Sequence, residues 1–353
     1  MTGRAPQSIA TNVSNMVRAL MDAGYRSAAG SVMQAIERNG SSGIIARRLT
    51  ELDNEVMRLE EAGKMLTPDN AVLRALMADF EDVMQANRAL VNSAGEDLQT
   101  VGARIGQREV LQTTLGLLPT SGRRAVMAAW NTPSVDALLD LIGYTQSDAW
   151  QKRMARYGDG VPDLVSRQIQ RMFLEGRGPR EVAGIVRQSV EGMPAYYAKS
   201  ATRTLMVTSY RDTATATRVA NSDILEYQVR VAAIEQDRTC VACTRLHGTR
   251  MELGERVDDH HNGRCSSVCK VRGFPLPSIG SGTDYFERLP EDTQRKRMGA
   301  ARYEAWQAGA ITWDDMVRKY DDPVFGQMVG EASLKGALGP AAQEYYQARR
   351  QET

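Results

Sequence analysis

Four cysteines fall within thirty residues, and all three histidines lie in the same stretch. It reads Cys240-Val-Ala-Cys243, then His247, then His260-His261-Asn262-Gly263-Arg264-Cys265, and finally Cys269. A Cys-x2-Cys pair suits a tetrahedral metal because a tight turn points both thiolates at one centre. A distant His and Cys then close the shell and pin two remote pieces of chain together. No recognisable secretion signal precedes the cluster, so reduced thiols are expected rather than a disulfide framework.

Sixteen residues separate Cys243 from His260, and four separate His260 from Cys265. A shell of Cys240, Cys243, His260 and Cys265 would be closed, holding structure rather than activating water. His261 is one residue away and is an alternative ligand. Cys269 is another, giving an all-cysteine shell. Arg238, Arg245 and Arg264 are expected to offset the negative charge of the thiolates. His247, beside Gly248, is expected to be a solvated loop histidine.

Two enzyme patterns share some of these residues. Asp258-Asp259-His260-His261-Asn262 beside cysteine pairs is similar to His-Asn-His endonucleases, but no histidine follows His261 to complete a catalytic metal site. Zinc deaminases place His-x-Glu ahead of Cys-x-x-Cys, and no histidine precedes Cys240. Phosphate-binding and nucleophile-elbow motifs are missing from the sequence. The expectation is a protein without catalytic or cofactor-binding residues, and with structural Zn²⁺ at the four-residue shell.

The elements that must position this cluster are mainly helical. Ile45, Leu49, Leu52, Val56 and Leu59 step by four and three, the rhythm of a coiled-coil seam. After Thr67-Pro68-Asp69, where Thr67 is the expected cap, a wider stripe runs from Leu73 through Phe80 to Val91 and on towards Ile105. Together these predict a long antiparallel helical hairpin. Shorter helices follow, with breaks at Asn131-Thr132-Pro133, Gly158-Asp159-Gly160 and Gly176-Arg177-Gly178-Pro179. Ser147 or Asp148 caps the helix of Trp150. Pro179 is expected to open one helix and Pro194 a second, reaching about Ala220.

A strand follows, with Tyr227, Val229 and Val231 alternating against Gln228 and Arg230. A second short strand is expected after Cys265. The tail reads as helix from Asp284 to Gly309, with another helix capped by Thr312. The fold class is therefore mainly α: a helical hairpin plus helices, a small α+β zinc-stapled module and a helical tail. The segments expected are 1–155, 156–275 and 276–353.

With 44 basic and 43 acidic residues in 353, nothing in the overall balance suggests a nucleic-acid coat or polybasic anchor. No apolar run approaches the ~18 residues needed to span a bilayer, so no membrane role is expected. A solvated helix face is the ordinary reading of Arg295-Lys296-Arg297.

The order of a Thr/Ala/Arg-rich helix, a strand, Asp237-Arg238-Thr239-Cys240-Val241-Ala242-Cys243, Leu246-His247-Gly248 and then His260 through Cys265 resembles the head-morphogenesis domain of tailed bacteriophages, the Mu F-like minor head proteins. The likeness covers about 178–273. Ala201-Thr202-Arg203-Thr204 falls where that family has a similar signature. Asp284-Tyr285-Phe286, Leu289-Pro290 and Arg302-Tyr303 resemble the segment that often follows. The family often reads His-Pro-Asn-Cys-Arg-Cys; here Gly263 stands in place of the first of those cysteines, and Cys269 has no counterpart. The first 150 residues match only in being helical. The alignment favours His260 over His261. The resemblance implies a virion protein in few copies at the portal vertex, present in the host cytoplasm during assembly. Its implied partners are the portal protein, the major capsid or scaffolding protein, and packaged DNA.

Overall fold

Apolar residues spaced three and four apart set the first helices, since that spacing lines one side of a 3.6-residue turn. The computed structural model describes residues 9–41, 43–236 and 239–351. Helix α1 (Ile9–Ser41) buries Val13, Val17, Met21, Tyr25, Ala29, Met33 and Ile36. Helix α2 (Ile44–Glu61) buries the whole stripe from Ile45 to Leu59. Helix α3 (Ala71–Gly116) answers with Leu73, Leu76, Phe80, Met84 and Val91. Arg48 pairs with Asp79 at 2.5 Å, and Asn70 donates to Glu55 at 2.8 Å. Later residues of α2 thus meet earlier residues of the next segment, so the hairpin is antiparallel. The cap of α3 is Asn70 rather than Thr67: its Oδ1 accepts from the N–H groups of Val72 and Leu73.

Helices α4 (Thr120–Ala129), α5 (Val135–Ile142), α6 (Asp148–Gly158) and α7 (Gly160–Leu174) follow, broken where Gly and Pro interrupt the pattern. Ser147 caps α6, accepting from the Trp150 N–H at 3.2 Å. Helix α8 (Pro179–Ala220) corrects one expectation, because it is continuous for 42 residues with Pro194 inside it. A proline there forgoes one backbone bond and crowds the preceding turn, at about 3 kcal/mol. The Pro194 carbonyl accepts from the Tyr157 hydroxyl at 3.1 Å, one contact that holds this turn. Arg180 and Arg187 of α8 pair with Glu60 and Asp53 of α2.

Strand β1 (Leu225–Val231) is central in an antiparallel sheet, between β2 (Arg250–Met251) and β3 (Ser266–Val271). Helix α9 (Val241–Leu246) lies between β1 and β2 in sequence. Both faces of β1 are covered: Gln228 and Arg230, which alternate as a polar face, are as buried as Val231. Gln228 satisfies itself by donating to the carbonyls of Glu252 and Glu255 and accepting from Ser267.

The tail is not all helix. Short helices α10 (Gly282–Glu287), α11 (Glu291–Met298) and α12 (Ala300–Gln307) lead to a single 3₁₀ turn (Asp314–Met316), across which Thr312 and Asp315 exchange hydrogen bonds. A β-hairpin follows, β4 (Val317–Asp322) and β5 (Gly326–Glu331), where a helix was expected. Asp322 closes its turn by accepting from the N–H groups of Val324 and Phe325, and Gly326 sits at φ 68°, a left-handed conformation costly for other residues. Helices α13 (Leu334–Leu338) and α14 (Ala342–Gln351) end the chain's described part.

The chain forms two compact units, each assembled from separate stretches. One holds 9–23, Gly102–Ile142 and 207–351, including every candidate metal ligand; the other holds Gly24–Val101 and Gly143–Met206. Linear segments at 1–155, 156–275 and 276–353 therefore divide the sequence differently from the compact units. Within the first unit α3 passes close to α8 at Gly106, where a Cβ would lie 2.5 Å from the Tyr210 carbonyl oxygen. Glu109 and Tyr210 both hydrogen-bond the Ser266 hydroxyl at 2.9 Å, fixing the start of β3 on the two helices. Burial pushes the Glu109 carboxyl above the usual range, against the pull of Arg218.

Candidate metal centre

Cys240 is the N-cap of α9, and its Sγ accepts from the Cys243 N–H at 3.3 Å. That turn puts Cys240 and Cys243 on one side, as Cys-x2-Cys spacing dictates. Val241, between them, is buried in an apolar cluster with Phe286, Met298, Tyr303 and Met316. Glu331 of β5 accepts from the Val241 N–H at 2.6 Å and is itself held by Arg302 at 2.9 Å. The short helix is thus clamped by the tail. Ala232, Ile234, Val257, Cys243 and Cys265 form a second apolar cluster that keeps water from the sulfurs.

Cys240, Cys243 and His260 bring their ligand atoms within 4.8 Å of one another, and so do Cys243, Asp259 and Cys265. Cys243 belongs to both groups, so the four expected ligands meet around one place. Donors around a tetrahedral Zn²⁺ lie ~3.3–3.8 Å apart, from bond lengths of about 2.0–2.3 Å. His260 Nδ1 donates to the His261 carbonyl at 2.8 Å. Because a carbonyl can only accept, Nδ1 keeps its proton here and Nε2 is the nitrogen left to serve as a ligand, the arrangement of a metal-bound histidine. The cluster can therefore hold a metal ion.

Without metal, the charges fall as a thiolate–imidazolium pair. The Cys243 hydrogen bond, then His260, hold the Cys240 thiol down to about 5 against burial. Cys240 and Asp259 hold His260 up to about 10. Neighbouring Cys240 and Cys265, together with burial, push Cys243 well above its ordinary value.

Sequence reasoning did not assign Asp259 its place. It is fully buried, and its carboxylate ties both ends of the ligand loop. Oδ1 accepts from the His260 N–H at 2.9 Å and the Cys243 thiol at 3.2 Å. Oδ2 accepts from the Cys265 N–H at 3.0 Å and from Arg211 at 3.0 Å. Burial opposes the charge, but Arg211, His260 and Arg230 outweigh it and hold the carboxyl well below the usual carboxylate range. Arg211 also donates to the Gly263 carbonyl at 3.0 Å. A Cβ on Gly263 would lie 2.2 Å from the Asp259 carboxylate, so only glycine fits where the resembling family carries a cysteine.

The other candidates lie elsewhere. His261 turns away, with Nε2 at 3.4 Å from Asp322 and its ring edge-on to Phe325. Cys269 faces Arg218 and Glu109, and burial pushes its thiol up to about 11; it joins neither ligand group. His247 is not solvated. It is 4% exposed, and its Nδ1 accepts from the Ala232 N–H at 3.0 Å. Burial lowers it to about 4, despite that hydrogen bond and Glu235.

Arg245 pairs with Asp314 at 2.8 Å and Arg264 with Asp22 at 3.7 Å. Asp237 and Arg238 lie outside the described residues. Among the described residues, Arg211 of α8 and Arg230 of β1 face the cluster, each 3% exposed. Comparison with family models, with curated proteins and with solved structures finds no match.

Proposed function

We propose that this chain is a minor head protein of a tailed bacteriophage, acting at the portal vertex in head assembly or DNA packaging and delivery. A structural Zn²⁺ bound by Cys240, Cys243, His260 and Cys265 staples its α+β module. The observation that carries this reading is the convergence of those four residues, which are also the core of the head-morphogenesis motif. The donor set supports zinc over harder ions, because thiolates and imidazole are soft ligands. Four protein ligands leave no open position, which supports a structural role and no catalysis. The proposed partners are the portal protein, the major capsid or scaffolding protein, and the DNA that passes them. Among the described residues no helix is long and apolar enough to cross a membrane.

Co-expression with the portal and coat proteins of one phage tests the assembly role. The chain should co-purify with portal rings or assembled heads. Free protein at every step, with steeply salt-dependent binding to DNA instead, would favour a nucleic-acid module. Elemental analysis of protein purified without added metal tests the staple, which should appear as one zinc per chain.

A further inference from the structure

Arg230 is the most demanding residue in the centre's surroundings. It projects from the central strand of the sheet and is 3% exposed. Cys265, to which it hydrogen-bonds, and Cys243 and Asp259 are its electrostatic neighbours. Yet Asp259 is already engaged by Arg211 and two backbone N–H groups. The Nε and Nη2 atoms of Arg230 have no hydrogen-bond partner among the described residues. A buried cation left in that state is costly, and natural chains keep one only where a counter-charge arrives.

We infer that Arg230 is the built-in counter-charge of the metal-bound centre, a positioning residue whose guanidinium balances the thiolates of Cys243 and Cys265 once the ion holds them. The inference rests on the metal reading above. Three thiolates and a neutral His260 around a divalent ion carry one negative charge, and Asp259 makes it two. Arg211 and Arg230 supply two positive charges, so the filled centre is neutral in its apolar surroundings. Without the ion, the buried Nε and Nη2 of Arg230 remain without a hydrogen-bond partner among the described residues. The protein therefore stores in Arg230 a preference for the filled state, in addition to the ligand bonds themselves.

The test uses the full chain, loaded with Zn²⁺ or Co²⁺ and stripped by chelator, as wild type, Arg230→Met and Arg230→Lys. Arg230→Met should lower affinity in chelator competition by about 10–100-fold, the usual cost of losing a group that supports metal ligands. It should weaken the thiolate-to-cobalt absorption, and Arg230→Lys should restore most of both. The thermal midpoint of the metal-free Arg230→Met protein should equal or exceed that of metal-free wild type, because an unpaired buried charge has gone. Only the loaded form should lose stability. Unchanged affinity in Arg230→Met would overturn the inference, and so would a metal-free form that loses as much stability as the loaded one. A wild-type chain that binds neither ion would instead overturn the metal reading, and the inference with it.

Discussion

Replacing Asp259 by asparagine keeps the side chain's shape and removes its charge. In the native protein the carboxylate accepts from two backbone N–H groups, one thiol and Arg211. An amide has one oxygen, so whichever way it lies its NH₂ group confronts a pair of donors. One backbone bond is lost, at about 1 kcal/mol, and Arg211 loses its charged partner while remaining 3% exposed. Breaking a buried ion pair on one side costs about 3–5 kcal/mol. The expected loss is therefore about 3–5 kcal/mol, out of the roughly 5–15 typical of a domain. Urea denaturation followed by tryptophan fluorescence suits the measurement, because Trp306 and Trp313 meet edge to face in the same compact unit as Asp259. Adding Arg211→Met to Asp259→Asn should recover part of the loss by removing the stranded cation. If Asp259→Asn alone stayed within about 1 kcal/mol of wild type at neutral pH, the carboxylate would not be the anchor described.

The remaining expectations separate the histidines and test the hairpin. His260→Ala should release the metal on dialysis while His261→Ala retains it; the reverse ranking, by elemental analysis, would move the ligand by one residue. His247 is depressed to about 4 in the folded protein, so its contribution is complete above about pH 6.5 and is lost as pH falls towards 4. Metal-free wild type should thus lose on the order of 3 kcal/mol over that window that His247→Asn does not lose, read from denaturation at each pH. Leu52 is 1% exposed, so Leu52→Asp should lower the isolated chain's stability by at least about 3 kcal/mol. An unchanged melting temperature combined with failure to enter heads would make the seam an intermolecular one.

The helical hairpin and the ligand spacing were legible because each depends on local periodicity. Ile45 to Leu59 can face only one way on a helix, and Cys-x2-Cys can close only one kind of turn. Strands β1 and β3 were legible for the same reason. The charges around the metal were not. Arg230 alternates with Val229 and Val231, which reads as a polar outer face unless both sides of the sheet are covered. Arg211 sits among threonines and alanines on a long helix, where nothing in the order of residues tells a buried arginine from a solvated one. Arg245 and Arg264 lie closer in sequence to the cysteines, but their partners Asp314 and Asp22 are remote and claim them. Gly263, four residues after Asp259, was the available signal that something bulky occupies the loop's interior. The β4–β5 hairpin was missed because Arg318 and Lys319 interrupt its alternation; Asp322 and Gly326, which close its turn, were the better guide. Pro194 misled in the opposite direction, since tertiary packing holds a helix through a residue that ordinarily starts one.

The division of each compact unit among separate stretches sets an order of events during synthesis. Arg18 must find Gln236, its partner 218 residues later. At about 5–20 residues per second, that partner leaves the ribosome roughly 10–40 s afterwards. Val13, Val17 and Met21 have no finished unit to enter during that interval. A transcript truncated before the cysteines would contain every stretch of the second unit but would leave the start of the first helix without the later part of the first unit. The protein's folding yield is then expected to respond to elongation rate and to chaperone holdases more than to the strength of any single contact in the finished molecule.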